Sequence, residues 1–196
     1  LDSAGRTQLH HKGKLVIGVE NTPTVIFDLM QFLVIDLGGV VGQIGMGQHG
    51  TAFAHAGMRM GPAIWYEGLY GDCYGDFVRR GAQFMAIISN DGWWGDTPGY
   101  KHLFTISRLR AIEHRRAIAR SANTGMSGFI SARGDIGETL GWEKRGVISA
   151  AVPLNSELTF YTRYGDYLGR IAEYLTLLCV LYYIAYRVKR ENYLVK

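Results

Sequence analysis

Two short stretches hold the residues best suited to chemistry. In the first, Lys12 precedes Glu20 across a short apolar run; in the second, GPAIWYEGLYGD (Gly61 to Asp72), apolar residues lead into Trp65, Tyr66 and Glu67 and a glycine follows at once. A buried strand ending in this way is where an enzyme presents a nucleophile, just past the last strand residue. A lysine beside carboxylates near such a nucleophile suits acyl transfer from an ester or amide. Here the residue at the elbow is Trp65, which cannot be a nucleophile.

The elements that must position these residues can be read from hydrophobic periodicity. Lys14 to Val19 is a short apolar run suited to a strand, broken at Asn21-Thr22-Pro23. Val25 to Val41 is strongly apolar at near-helical spacing, which predicts a helix or hydrophobic arm ending at Gly38-Gly39. Gly42 to Gly50 is glycine-rich and reads as a loop; it neither follows a clear strand nor opens a clear helix, so it is no dinucleotide fingerprint. Strands are expected at Pro62 to Trp65, Phe84 to Ser89, Met126 to Ala132 and Gly146 to Leu154. Helices are expected at Tyr74 to Arg80, closed by Gly81, and at Tyr100 to Arg116, with Leu103, Ile106, Leu109 and Ile112 on one side. Arg133-Gly134-Asp135 predicts a hairpin, and Asn90 to Gly99 a turn carrying Trp93 and Trp94. This order implies a mixed sheet with helices packed on a face.

The last segment differs in kind. Tyr167 to Tyr186 is apolar, uncharged from Tyr174 onward, flanked by tyrosines and followed by Arg187, Lys189 and Arg190. That pattern predicts a membrane span with interfacial aromatics and a cytoplasmic basic end, over an amphipathic helix docked on the core.

Composition narrows the function classes. The 196 residues, 47% hydrophobic and 19% charged, suit one globular domain and one further element. Lys and Arg exceed Asp and Glu by 21 to 17, but much of the excess sits in the tail and no basic patch with interleaved aromatics accompanies it, so no nucleic-acid partner is expected. Cys73 and Cys179 lie far apart, and the six histidines, His10-His11 among them, show no ligand spacing, so neither metal nor cofactor is expected. Leu1 is not an initiator methionine and the first dozen residues are polar, so the chain reads as a fragment without a signal peptide.

The phrases KGKLVIGVENTP, GPAIWYEGLYGD, RRGAQFMAIISNDGWWGDTPGYKHL, SRLRAIEHRRAIARSANTG and FYTRYGDYLGRIA, in this order from Lys12 to Ala172, resemble bacterial apolipoprotein N-acyltransferase, its Bacteroidetes versions above all. The resemblance implies an α/β fold: a nitrilase-like α/β/β/α sandwich, incomplete here at its N-terminus, followed by a C-terminal transmembrane helix. The expected limits are residues 1–166 for the partial domain, 167–190 for the span and 191–196 for a cytoplasmic tail. It implies a bacterial inner-membrane protein with the domain on the periplasmic side. The implied reaction takes an acyl chain from a phospholipid onto a cysteine and passes it to the N-terminal amine of an apolipoprotein.

By the same resemblance, Lys12 corresponds to the catalytic lysine that stabilises the oxyanion together with the backbone N–H of Tyr66. Glu20 and Glu67 correspond to two essential glutamates, and Trp93 and Trp94 to an aromatic loop suited to shielding an acyl chain. Taken alone, Lys12 also fits a surface lysine, Glu67 a strand-end acceptor and the tryptophan pair simple packing. Two departures stand out: Trp65 occupies the position of the nucleophilic cysteine, and the glutamate expected upstream of the lysine has no counterpart, since only Asp2 is acidic before Lys12. Cys73, eight residues past Trp65, has no base placed beside it. The expectation is an acyltransferase-like chain that is inactive as written. The alternatives are a non-catalytic membrane-anchored binding protein and a soluble amidase of the same superfamily.

Overall fold

A computed structural model describes residues 7–16, 20, 45, 47 and 50–194. The expected helix at 25–41 lies outside the described residues, as do most of the glycine-rich stretch and the end of the expected strand at 14–19; Lys14 to Val16 are not in a strand.

The described residues form one six-stranded mixed sheet in the order β1 (Phe53–His55), β2 (Met58–Ile64), β3 (Phe84–Ser89), β4 (Ile118–Ala122), β5 (Ser127–Ile130) and β6 (Ile136–Leu140). The three central strands, β2, β3 and β4, are parallel, and the outer pairs are antiparallel. Parallel neighbours need crossovers, and two helices supply them. Helix α1 (Gly71–Arg79) joins β2 to β3, and α2 (Pro98–His114) joins β3 to β4. Thr97 caps α2 by accepting from the Gly99 N–H, and Pro98 occupies the first turn, where its missing donor is not needed.

Alternation along the strands decides which face is covered. Ala63, Met85, Ile87, Ile118 and Ile130 point toward the helices and close one core with Tyr74, Phe77 and Val78 of α1 and Phe104 and Ala111 of α2. On the opposite face Ile88, in a central strand, is 62% exposed. The helix layer and the sheet behind it are one α/β half of an α/β/β/α sandwich.

Three expectations are corrected. The strand expected at 62–65 is longer and ends at Ile64, which leaves Trp65 outside it. Residues 146–154 pair with no strand: Val147 is 94% exposed, and this stretch leads into a segment tied down by single bonds such as Asn155 N–H to Gln83 O at 3.1 Å. The buried face of α2 is Tyr100, Phe104, Ser107, Ala111 and His114, while Leu109 and Ile112 are exposed. Small side chains at 107 and 111 let the helix approach the sheet, so the apolar stripe at i, i+3 faces outward instead.

Beyond β6, a short helix α3 (Phe160–Tyr164) leads into α4 (Tyr167–Leu194), whose side chains from Arg170 to Arg187 are all exposed. The segment Tyr167–Arg187 is long and apolar enough to cross a membrane. The joint before it is fixed. Thr162, fully buried, meets His114 Nδ1 at 2.9 Å, and Arg79 donates to the Thr162 carbonyl at 2.9 Å.

His114 carries a pH-dependent consequence. Burial, reinforced by the positive charge of Arg110, lowers its pKa to about 3 from an ordinary 6.5, so the ring is neutral in the folded protein at neutral pH. Between those values the unfolded chain binds the extra proton, so His114's contribution is complete above about pH 6.5 and is lost as pH falls toward 3. The unfolding free energy from urea titration should fall more steeply with falling pH across this window for the wild type than for His114→Gln, by up to about 1.4 kcal/mol per pH unit.

Candidate active site

The carboxyl ends of parallel strands are where open α/β sheets gather ligands, because the loops leave the sheet there in diverging directions. Three loops do so here. After β2 comes a 3-10 turn, Trp65–Leu69; after β3 comes a second, Gly92–Trp94; after β4 comes the Asn123 turn. Together with the N-terminal segment they enclose a cavity of about 620 Å³ lined by Lys12, Val16, Glu20, Ile64, Trp65, Ile88, Ser89, Asn90, Trp93, Trp94 and Asn123. Thus Lys12, Glu20, Trp65, Trp93 and Trp94, far apart in sequence, share one space.

Trp65 adopts φ +38°, a left-handed conformation that is uncommon for a side chain of its size and typical of strained functional elbows. Its ring stacks on Tyr66, with centroids 5.3 Å apart, and its buried Nε1 meets no acceptor among the described residues. Lys12 Nζ lies over the indole, 5.7 Å from the centre of the Trp65 ring. The ammonium is held on its other side by both Glu20 oxygens, at 2.7 and 2.6 Å, and Glu20 also accepts from the Val16 N–H at 2.8 Å. The backbone N–H of Tyr66 lies in the first turn of the 3-10 segment, where N–H groups have no intrahelical partner.

Glu67 does not line the cavity. It is 1% exposed and accepts from the Ile64 N–H at 2.7 Å, from the Gly13 N–H at 2.7 Å and, with both oxygens, from His10 Nε2 at 3.1 Å. The carboxylate therefore ties the loop that carries Lys12 to the last residue of β2. Gly13 fits because a Cβ there would crowd Gly47 O and Glu67 Oε1. His10 itself is held edge-on against Phe77, 5.0 Å away.

The aromatic turn rests on a second buried carboxylate. Asp91 and Arg120, 0% and 4% exposed, pair at 2.9 Å, and Ser89 Oγ donates to Asp91 at 2.5 Å while accepting from Arg120 at 3.0 Å. Arg120 also donates to the Met126 carbonyl. Asn123 Oδ1 accepts from the Asp91 N–H at 3.0 Å, and its amide donates to Asn90 at 2.7 Å. This network fixes the end of β3, from which Trp93 and Trp94 project, each about half exposed. The Ser89 hydroxyl is committed to it and is not a free nucleophile.

A family model described as carbon-nitrogen hydrolase matches residues 2–158. The chain belongs to the carbon-nitrogen hydrolase family. Among curated proteins it is similar to the apolipoprotein N-acyltransferase of Chlorobaculum tepidum, 36% identical over 169 residues, covering 84% of this chain and 32% of that protein. It is also similar to that of Rhizobium meliloti, 41% identical over 97 residues, covering 50% of this chain and 18% of that protein. The chain thus spans about a third or less of the length of these relatives. Among solved structures, a nitrilase-superfamily protein of Saccharomyces cerevisiae aligns with a TM-score of 0.47 at 18% identity over 53% of this chain and 41% of that one.

Among the described residues no thiol lines the cavity. Cys73 does not replace one. It lies outside the cavity lining, partly buried in α1, where desolvation and then the charge of Glu67 push its thiol up to about 12. His10 and Arg120 are the site residues that sequence reasoning missed. A charged residue at an inward position of a buried strand, as in Ile118-Ala119-Arg120, was the available signal for one of them.

Proposed function

We propose that the protein is an apolipoprotein N-acyltransferase-type membrane protein whose catalytic elbow is disabled at Trp65. The observation that carries the proposal is the meeting of Lys12, Glu20 and the strained residue 65 in one cavity walled by Trp93 and Trp94. In such an enzyme a thiolate at position 65 attacks the ester carbonyl of a phospholipid, and the tetrahedral oxyanion is held by Lys12 and the Tyr66 N–H. Collapse expels the lysophospholipid alkoxide, which is protonated as it leaves. The free N-terminal amine of an apolipoprotein then attacks the thioester, releasing the thiol and an N-acylated product.

In this reading Glu20 orients Lys12, Glu67 holds the lysine loop against the elbow, and the two tryptophans flank the acyl chain. The domain, residues 1–166, stands on the periplasmic side of the inner membrane, the span covers 167–190, and the tail at 191–196 is cytoplasmic. The exposed apolar length of α4 supports a membrane protein over a soluble amidase.

With an indole at position 65 no acyl carrier exists, so purified protein given phospholipid vesicles and a diacylated lipopeptide should form no triacylated product by mass spectrometry. Detectable product would overturn the disabled elbow. One observation favours a second reading, retention of lipid or lipopeptide binding without turnover: the Trp65 ring is seated beneath Lys12 and stacked on Tyr66.

A further inference from the structure

We infer that α3 and the outward stripe of α2 form a fixed membrane seat, a patch that lies in the headgroup layer beside the entry of α4 into the bilayer. The inference rests on α4 being a membrane span. Three elements bring apolar side chains to this spot. Ile112 of α2, 42% exposed, shares a cleft with Phe160 of α3 and Tyr167 and Leu168 of α4. Phe160, Tyr164 and Leu168 are each more than half exposed. The Phe160 ring packs against both Tyr164 and Tyr167, with centroids 4.5 and 5.0 Å away, so the cluster is preformed and still faces outward.

The patch cannot swing away from the span. Asp166 accepts from the Gly169 N–H at 2.9 Å at the start of α4, and Arg170 donates to the Tyr164 carbonyl. Gly165, at φ +67°, is wedged against Asp72, where a Cβ would collide with the carboxylate. A rigid aromatic cluster at the mouth of a span must take whatever layer the geometry assigns, and aromatic rings with polar edges fit the interface. Arg115 lines the cleft with Glu113 and Asp166, and Arg163 and Arg170 are exposed on α3 and α4, so cations outnumber anions here by three to two and a surface bearing phosphate headgroups suits the patch. The occupant is therefore the bilayer around α4.

The test places a nitroxide on cysteines introduced one at a time, Ile112→Cys, Phe160→Cys, Leu178→Cys and Glu138→Cys, in a Cys73→Ala, Cys179→Ala background. The protein is reconstituted in vesicles of phosphatidylethanolamine and phosphatidylglycerol, and collision with oxygen is compared with collision with a water-soluble nickel chelate. The expected result is Leu178→Cys deep in the hydrocarbon, Glu138→Cys in water, and Ile112→Cys and Phe160→Cys within about 5–10 Å of the phosphate layer. If Leu178→Cys is deep while 112 and 160 behave like 138, the seat is wrong and the span stands. If 112 and 160 are shielded from both reagents, protein covers the patch and the seat is wrong. If Leu178→Cys is not deep, the span itself fails and the seat with it. Should the alanine background not fold, benzoylphenylalanine at 160 in the native chain reads the same contact: photocrosslinks to phospholipid support the seat, and crosslinks only to protein overturn it.

Discussion

In a Glu67→Ala variant the free energy of unfolding should fall by about 3–5 kcal/mol, because a buried acceptor of several bonds is removed while its donors remain. The N–H groups of Gly13 and Ile64 and the His10 ring would be left facing a void, and each such donor costs about 1–3 kcal/mol when unsatisfied. Glu67→Gln keeps the volume and one acceptor oxygen but turns an amide NH2 toward donors, so its loss should be smaller but still measurable. The same changes release the loop that carries Lys12, since Glu67 reaches the segment on both sides of that lysine. Urea titration reads the stability, and faster hydrogen exchange at Gly13 and Ile64 in both variants reads the loop. Unchanged exchange at Gly13 would show that Glu67 does not hold it.

Replacing Trp65 by cysteine has the larger chemical effect. The indole is only partly buried, its Nε1 finds no acceptor among the described residues, and its backbone is strained, so the loss of ring packing is partly offset. The new thiol would sit below Lys12, whose ammonium now lies 5.7 Å from the centre of the ring being removed. A cation at that distance in a partly enclosed site lowers a thiol's pKa and raises the thiolate fraction at neutral pH. Iodoacetamide should therefore modify the Trp65→Cys protein at residue 65 several-fold faster at pH 7 than it modifies Cys73, whose thiol is pushed up to about 12. Lys12→Met in the same background should remove that advantage. Equal rates with and without the lysine would mean that Lys12 does not face the elbow in solution.

Much of this arrangement was legible in the sequence where the signal is local. The strand at Phe84–Ser89 is a continuous β-rich run between turn residues, and the hairpin β5–β6 is marked by Arg133-Gly134-Asp135, where Gly134 takes φ +86°. Helix α1 begins at Gly71, three residues before its apolar face starts, because its first turn is placed by the elbow rather than by periodicity. Non-local facts were not legible. Residues 146–154 have the composition of a strand, but a strand needs an edge to pair with, and no composition reports whether one is free. β1 is three residues long, and among the described residues its backbone is held by pairing with β2 and by the side chain of Gln8 on Ala54.

The site divides the same way. Lys12, Glu20, Trp65, Trp93 and Trp94 were named from motif phrases, and the cavity unites them. The role of Glu67 as a tie between loop and strand depends on His10 and Gly13, more than fifty residues away in sequence, and no spacing rule connects them. The Asp91–Arg120 pair is the same kind of case, a buried charge whose partner comes from the neighbouring parallel strand.

The disabled elbow is tested most directly by the intact mass of the Trp65→Cys protein after incubation with phospholipid vesicles, beside the wild type. A hydroxylamine-sensitive adduct of one fatty acyl chain is expected at residue 65, absent from the wild type and from Trp65→Cys combined with Lys12→Ala. A folded Trp65→Cys protein that acquires no adduct, or acquires it only at Cys73, would contradict the account and leave a non-catalytic member of the family.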